Sequence, residues 1–250
     1  MAGHSKWANI KHRKGAQDAK KAKIFNKIAR EIEVAAKSSS NPEDNPRLRT
    51  AIAAARVENM PNDRIKRAIA KGSGEGGDAA DYHEVRYEGY APGGIALIVE
   101  ALTDNRNRTA GEVRAAFTKF GGTLGETGSV SFMFNRVGLL YYPEKAASAD
   151  AMFETAAEAG ADNVESDEEG HTITCPPEMF HTVQAALTEK FGDAETARLA
   201  WLPHERTLVS DEEQATKLLK LIDVLEDNDD VQYVEGNYDI PEEILEKIAA

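Results

Sequence analysis

The hydrophobic pattern changes its period at a glycine-rich segment, residues 72–77 (GSGEGG), and this change constrains the fold more than any other feature. Before this segment, apolar residues such as Ile24, Ile28 and Ile32 recur every three or four positions, which is the pattern of amphipathic helices. After it, apolar runs such as residues 94–102 (GIALIVEAL) are typical of buried strands. The sequence therefore predicts a helical domain, a flexible boundary at the glycines, and then a part that contains sheets.

Three helices are expected in the first part. The first covers residues 16–37, and the second begins at Pro46, with Asn45 as its N-cap. The third begins near Pro61, and Gly72 is expected to be its C-cap. Because the connections between these amphipathic segments are brief, the sequence predicts a small three-helix bundle.

The second part contains a recognisable order of elements. Residues 138–202 predict strands and helices in the order βαββαβ, which is the order of the ferredoxin-like fold. Two strands, a helix at 108–121 and a strand at 129–134 (SVSFMF) precede this unit, and a long helix, a strand and a closing helix follow it. These flanking elements can share a sheet only if the chain returns to it, so we expect a discontinuous middle domain that carries the ferredoxin-like unit as an insertion. The predicted fold class is α+β with three domains: a basic helical domain (1–77), an α+β domain (78–136 with 205–250) and a ferredoxin-like domain (137–204).

The formal net charge of −13 is distributed unevenly along the chain. Residues 1–75 carry 17 Lys and Arg against 8 Asp and Glu, whereas residues 76–250 carry 13 against 35. Such a split favours a part that faces nucleic acid joined to an acidic body. The alternative is a helical domain that uses Lys and Arg simply as helix-forming residues.

The sequence also bears on where the protein works. No window approaches the ~18 apolar residues that a membrane span needs, and the basic start lacks the apolar stretch of a secretory signal. The single cysteine, Cys175, excludes an internal disulfide. We therefore expect a cytoplasmic protein that does not interact with membranes.

Positive charge is most concentrated in residues 3–23 (GHSKWANIKHRKGAQDAKKAK), where seven positions are Lys or Arg and only Asp18 is acidic. Binding to a phosphate backbone would release counterions, so the segment is either a nucleic-acid contact or a solvated arm. Trp7 could stack on an unpaired base or anchor the segment to the helical domain. The candidate nucleic-acid-binding residues here are Lys6, Trp7, Lys11, His12, Arg13, Lys14, Lys20, Lys21 and Lys23.

A second candidate contact is the segment TDNRNRTAGEVR, in which Arg106 and Arg108 lead into a helix with Thr109 as the expected N-cap. A helix N-terminus offers unpaired N–H groups and positive potential, so the two arginines could hold a phosphate or an RNA loop. The alternative is that they pair with Asp104 or Glu112 within the protein.

Catalytic and cofactor sites are not predicted. The six histidines form no HxxxH or HxH pair, and no GxSxG motif is present. The glycine-rich segments 90–95 and 120–129 do not match a phosphate-binding loop, and the acidic runs 165–170 and 226–230 do not have EF-hand spacing. The sequence therefore predicts a protein that is not an enzyme, with no cofactor, no metal and no small-molecule substrate.

Four segments resemble the YebC/PmpR family, which also includes the mitochondrial translational activator of cytochrome oxidase subunit one. They are MAGHSKWANIKHRKGAQDAKKAKIFNKIAREI, NPRLRTAIAAARVENMPNDRIKRAI, YEGYAPGGIALIVEALTDNRNRT and GGTLGETGSVSFMF, and the likeness covers essentially the whole chain. The resemblance implies a three-domain protein with a helical N-terminal domain, whose basic opening contacts a polyanion. Most members are described as cytoplasmic DNA-binding transcriptional regulators, and some are similar to ribosome-associated translation factors that help synthesis through proline-rich stretches.

Two functions follow from the charge and the resemblance. The first is a nucleic-acid-binding regulator of gene expression whose target is DNA. The alternative is a translation factor that contacts ribosomal or transfer RNA and relieves stalling. No helix-turn-helix recognition helix with base-reading side chains on one face is evident, so sequence-specific readout is not supported. An irregular arm with a Trp, together with arginines in a loop, suits folded RNA at least as well as DNA.

Overall fold

A computed structural model of the chain describes residues 17–75 and 81–249, with side chains at 21–75 and 81–248. Within these residues, helices and strands alternate over most of the chain, and the first three elements are all helices. The predicted mixture of helix and sheet with a helical N-terminal part is thus confirmed. In chain order the elements are α1 (Gln17–Ala36), α2 (Pro46–Val57), α3 (Asn62–Gly72), β1 (His83–Ala91), β2 (Ile95–Thr103), α4 (Arg106–Lys119), β3 (Thr123–Leu124), β4 (Phe134–Pro143), α5 (Ala149–Glu158), β5 (Asn163–Ser166), β6 (Gly170–Cys175), α6 (Phe180–Phe191), β7 (Thr196–Pro203), β8 (Thr207–Leu208), α7 (Glu212–Asp227), β9 (Val231–Gly236), β10 (Tyr238–Asp239) and α8 (Glu242–Ala249).

The chain forms two compact units, and the limits between them fall inside α1, between α3 and β1, inside β4 and inside β7. In their described parts, the first unit contains residues 17–27, 81–135 and 201–249, and the second contains residues 28–75 and 136–200. The three domain ranges given above remain a prediction.

The first unit is built on a four-stranded sheet in the order β3-β1-β2-β9. Strand β2 pairs antiparallel with β1 along its whole length and with β9 on its other side. Because β9 follows the ferredoxin-like unit in the chain, the predicted return to the first sheet is confirmed. Alternate residues of β2 enter cores on opposite faces of the sheet, Leu97 and Val99 on one face and Ala96 and Ile98 on the other. Burial on both faces explains why β2 is a continuous apolar run.

The second face of this sheet is organised around a buried carboxylate. Glu88 is 1% exposed and accepts the N–H groups of Val130 at 2.9 Å and Ser131 at 2.8 Å. Arg86 donates to Glu88 at 2.9 Å, and its guanidinium lies 4.8 Å from the ring centre of Trp201. Burial alone would raise the pKa of Glu88, but the backbone N–H donors and Arg86 outweigh it and hold this pKa below its usual value.

The prediction of a strand at 129–134 is wrong, because the Glu88 carboxylate binds N–H groups that this strand would need. Residues 131–133 form a single turn of 3₁₀ helix, and β4 begins only at Phe134. The N–H groups of Val130 and Ser131, which a strand would give to a neighbouring strand, are bound by Glu88 instead.

The second unit contains a sheet in the order β5-β6-β4-β7. This is the strand order of a ferredoxin-like βαββαβ unit, and β6 runs antiparallel to both β4 and β5. Its core includes Leu140 and Ile173 from the strands and Met152, Val183 and Leu187 from α5 and α6.

The helical part of the second unit confirms one predicted cap and contradicts another. The side chain of Asn45 accepts the Leu48 N–H at 3.0 Å, and Pro46 is the first residue of α2, as predicted. Gly72, however, lies inside α3, whose C-cap is Ser73. A Cβ at Gly72 would lie 2.8 Å from the Cα of Glu33 in α1, so the glycine is required by close helix packing rather than by a left-handed turn.

Three strands were not predicted from the sequence. Strands β3, β8 and β10 are two residues long, and β8 and β10 form a small parallel pair. A two-residue strand is too short to show the alternation on which strand prediction depends.

Candidate nucleic-acid interface

Most of the basic opening lies outside the described residues. This applies to Lys6, Trp7, Lys11, His12, Arg13 and Lys14, and also to the side chain of Lys20. Of the predicted residues in the opening, Lys21 and Lys23 are described, and both belong to α1. Lys21 is exposed, whereas Lys23 is half-buried.

Lys23 and its neighbour Lys27 are both bound to the end of another helix. The Lys23 ammonium lies 2.8 Å from the Asp227 carboxylate and donates to the Asp227 carbonyl oxygen at 3.2 Å. Lys27, one turn further along α1, donates to the carbonyl oxygen of Glu226 at 2.7 Å. These carbonyls belong to the last turn of α7, where a helix has unsatisfied acceptors and a negative dipole end. Lys23, which the charge pattern assigns to a polyanion contact, therefore also caps an acidic helix end, together with its neighbour Lys27.

The two arginines at the start of α4 have different surroundings. Arg106 is the first residue of the helix and is exposed. Arg108 donates to Asp230 at 2.6 Å and to Asp104 at 2.9 Å. Of the two alternatives for the arginines, Arg108 therefore takes the paired one, with Asp104 as foreseen and with Asp230, which the sequence did not indicate. These hydrogen bonds raise the pKa of the Arg108 guanidinium.

Asp230 is the buried acceptor at the centre of this cluster. It is 3% exposed and accepts the hydroxyl groups of Thr109 at 2.7 Å and Thr103 at 3.2 Å. Because the Thr109 hydroxyl is used here, the prediction that Thr109 caps α4 is wrong. The N-cap is Asn105, whose side chain accepts the N–H of Arg108 at 3.1 Å.

A further basic surface, on α3, was missed in the sequence analysis. Lys66 and Arg67 are exposed, while Ile65 and Ala68 on the same helix are buried. The signal was present in the sequence, because the apolar positions of α3 leave these cations together on the opposite side of the helix.

The connection that leads into α3 has the length found in helix-turn-helix motifs. Helices α2 and α3 are separated by residues 58–61. Asn59 adopts a left-handed conformation with φ of 58°, and the N–H of Met60 bonds back to the Ala55 carbonyl at 2.8 Å. This is a Schellman motif, and Asn is one of the residues that tolerate its left-handed position. The expectation that no recognition helix with base-reading side chains is present stays a prediction.

In residues 17–75 and 81–249, no group of three or more His, Cys, Asp or Glu side chains is arranged to hold a metal ion. In the same ranges, no helix is sufficiently long and apolar to span a bilayer.

The chain is similar to proteins of one known family over nearly its whole length. A family model described as "TACO1/YebC protein N-terminal domain" matches residues 5–75, and one described as "TACO1/YebC second and third domain" matches residues 82–238. Two relatives from strains of Rickettsia bellii, both named "Probable transcriptional regulatory protein", are 56% identical over 247 residues, covering 98% of this chain and 96% and 97% of theirs. A crystal structure of a conserved hypothetical protein from Aquifex aeolicus is similar with a TM-score of 0.86 and 49% identity, covering 96% of this chain and 99% of that one.

Proposed function

We propose that this chain, which belongs to the TACO1/YebC family, is a cytoplasmic, non-enzymatic regulator of gene expression that binds DNA through its basic N-terminal part. The observation that carries the proposal is the charge division, with 17 Lys and Arg against 8 Asp and Glu in residues 1–75 and the reverse excess in the rest of the chain. The names of the two Rickettsia relatives support a regulatory role.

The physical basis of the proposal is electrostatic. Lysines and arginines that contact a phosphate backbone displace condensed counterions, so the affinity depends steeply on salt concentration. The acidic remainder of the chain repels the same polymer, which restricts contact to the basic residues. Exposed Lys21 on α1 belongs to this opening segment, and exposed Lys66 and Arg67 on α3 are further candidate contacts outside it.

The test is the salt dependence of binding to a short DNA duplex, measured by fluorescence anisotropy. Combined substitution of Lys11, Arg13 and Lys14 by Ala should reduce the slope of log K against log salt by about two to three, one for each lost phosphate contact.

The matched control removes three exposed lysines from the acidic part of the chain, Lys145, Lys220 and Lys247. Both triple variants change the net charge equally, so a contact in the opening segment predicts a smaller slope for the first variant alone. The proposed contact would be contradicted if wild type and the first variant had equal salt slopes, or if both triple variants lost the same amount of slope.

The second candidate function is a translation factor bound to ribosomal or transfer RNA. The observation that favours it is the exposed position of Arg106 at the first turn of α4, because an arginine beside the N–H groups of a helix N-terminus suits a folded RNA backbone. Gradient sedimentation of a lysate under stalling conditions tests this candidate, and absence from ribosomal fractions would count against it. A gel shift of a promoter fragment with random-sequence competitor tests the DNA function, and equal competition would exclude sequence-specific regulation.

A further inference from the structure

The end of α7 and the turn after it form an acidic segment, residues 226–229, that we call the acidic clasp. We infer that the acidic clasp competes with nucleic acid for Lys23 of α1, so that the protein is autoinhibited by its own Asp227 carboxylate, with Lys27 bound beside it. This inference rests on the proposed function, because it describes how binding at the basic N-terminal part is regulated.

Lys23 and Lys27 contact negatively polarised oxygen atoms at the end of α7. Lys23 meets one carboxylate oxygen and one carbonyl oxygen of Asp227, at 2.8 and 3.2 Å, and Lys27 meets the Glu226 carbonyl oxygen at 2.7 Å. These are negatively polarised oxygens at the distances that an ammonium group also makes with phosphate. The acidic clasp thus offers the two lysines the kind of acceptor that a nucleic-acid backbone would offer.

The last turn of α7 carries acidic residues where cations would stabilise the helix. A helix C-terminus is stabilised by cations, yet the last turn of α7 contains no basic residue and ends with Glu226 and Asp227. These acids oppose the helix dipole, and Lys23 and Lys27 of α1 supply the missing positive charge. This arrangement leaves the helix end dependent on α1 and leaves two lysines occupied.

The ion pair between Lys23 and Asp227 is exposed and therefore weak. The side chains of Lys23 and Asp227 are 37% and 67% exposed, so solvent and salt screen their ion pair. Lys27 is more deeply placed, and the pKa of its ammonium is lowered, because burial outweighs the attraction of Glu226, Asp229 and Asp227. The exposed Lys23–Asp227 pair can therefore be displaced by a polymer that presents many phosphates at once, whereas the more deeply placed Lys27 stays with the helix end.

The first experiment removes the carboxylates of the acidic clasp and measures duplex binding by fluorescence anisotropy. Glu226→Gln combined with Asp227→Asn should raise the affinity about three- to tenfold at low salt and steepen the salt slope by about one, because the variant releases Lys23 while the bond of Lys27 to the Glu226 backbone carbonyl remains. The matched control is Glu154→Gln with Glu158→Gln, two exposed acids on α5 whose loss changes the net charge equally. Equal affinities of the two double variants would overturn the inference.

The second experiment uses the wild-type chain and so does not depend on the folding of a variant. A zero-length carbodiimide activates the Asp227 carboxyl group and joins it to the Lys23 amine as an amide with loss of water, which peptide mass mapping detects. We expect saturating duplex DNA to lower the yield of this cross-link severalfold, whereas a purely structural cap would be cross-linked equally with and without DNA.

The experiments distinguish failure of the proposed nucleic-acid binding from failure of autoinhibition alone. If wild type binds neither duplex DNA nor single-stranded RNA at low salt, the proposed function fails and the inference fails with it. If wild type binds but the cross-link yield is unchanged by DNA, autoinhibition alone is refuted and the lysines of α1 act only as a cap for α7.

Discussion

Arg106 and Arg108 are two residues apart at the start of α4, and we expect their replacement by Ala to have opposite consequences. Arg106 is exposed at the first turn, whereas Arg108 is bound to Asp230 and Asp104. Arg106→Ala should weaken nucleic-acid binding and leave folding stability almost unchanged. Arg108→Ala should lower folding stability and change binding little, because its guanidinium is already occupied by two carboxylates.

The magnitude for Arg108→Ala follows from the exposure of its two partners. The Asp230 side chain is 4% exposed, so loss of its charged hydrogen bond should cost about 1.5–3 kcal/mol. The Asp104 side chain is 52% exposed, and loss of this screened pair should cost about 0.3–0.5 kcal/mol. A total of about 2–3.5 kcal/mol corresponds to a melting temperature lower by roughly 4–14 °C in a chain of this size.

Thermal melting and anisotropy titrations of both variants form the assay. Arg106→Ala should reduce the salt slope by about one without a change in melting temperature. A double-mutant cycle between Arg108→Ala and Asp230→Asn should then give a coupling free energy of about 1–3 kcal/mol. If Arg108→Ala melts like wild type and loses as much affinity as Arg106→Ala, the conclusion that Arg108 is held by Asp230 and Asp104 rather than available to nucleic acid is wrong.

Three further predictions concern packing and ionisation. Gly72→Ala should destabilise the chain by about 1–3 kcal/mol, because the new Cβ would meet the backbone of α1. Gly111→Ala, in open space on α4, should instead stabilise it by up to about 1 kcal/mol. Equal effects of the two substitutions in thermal melting would show that close packing at Gly72 is not the cause. Burial would raise the pKa of Glu88, but N–H donors and Arg86 outweigh it, so this pKa is lowered in the folded state. The contribution of Glu88 to folding stability is therefore fully present above its unfolded pKa of about 4.3 and is lost as pH falls through its folded pKa. Glu88→Gln should therefore cost about 1.5–3 kcal/mol at neutral pH and reduce the loss of stability on acidification, as measured by denaturant unfolding at several pH values. Burial raises the pKa of the Cys175 thiol to about 11, so the native protein should react with iodoacetamide at least ~100-fold more slowly than a free thiol near pH 8 and should react readily once unfolded.

The elements that were predicted correctly are those whose pattern is carried by many residues. Strand β2 and helix α7 are long, and each shows the apolar spacing of its type throughout. The ferredoxin-like order followed from six such elements in sequence, and the return of β9 to the first sheet followed from the strands that this unit left unpaired. Repetition makes these predictions robust, because one atypical residue does not change the period.

The wrong local predictions share a cause, which is a partner distant in sequence. Gly72 has the local appearance of a C-cap, but its position is decided by Glu33 in α1. Thr109 has the local appearance of an N-cap, but its hydroxyl is taken by Asp230. In each case a single side chain or backbone group from another element competes for the residue, and no pattern within one segment contains that information.

The same reasoning changes how the charge division should be interpreted. Counting treats every Lys and Arg in residues 1–75 as available, yet Lys23 and Lys27 are bound to the end of α7 and Lys71 to Glu33 at 2.9 Å. Counterion release is produced only by cations that exchange water and ions for phosphate, so a cation already held by a carboxylate contributes less to the salt slope. The slope for wild type should therefore be smaller than the 17 Lys and Arg of this part would give, and it should increase when the carboxylates of the acidic clasp are removed. A slope that instead matched the full count would mean that these internal pairs open on binding, and the charge pattern alone would then be an adequate description of the interface.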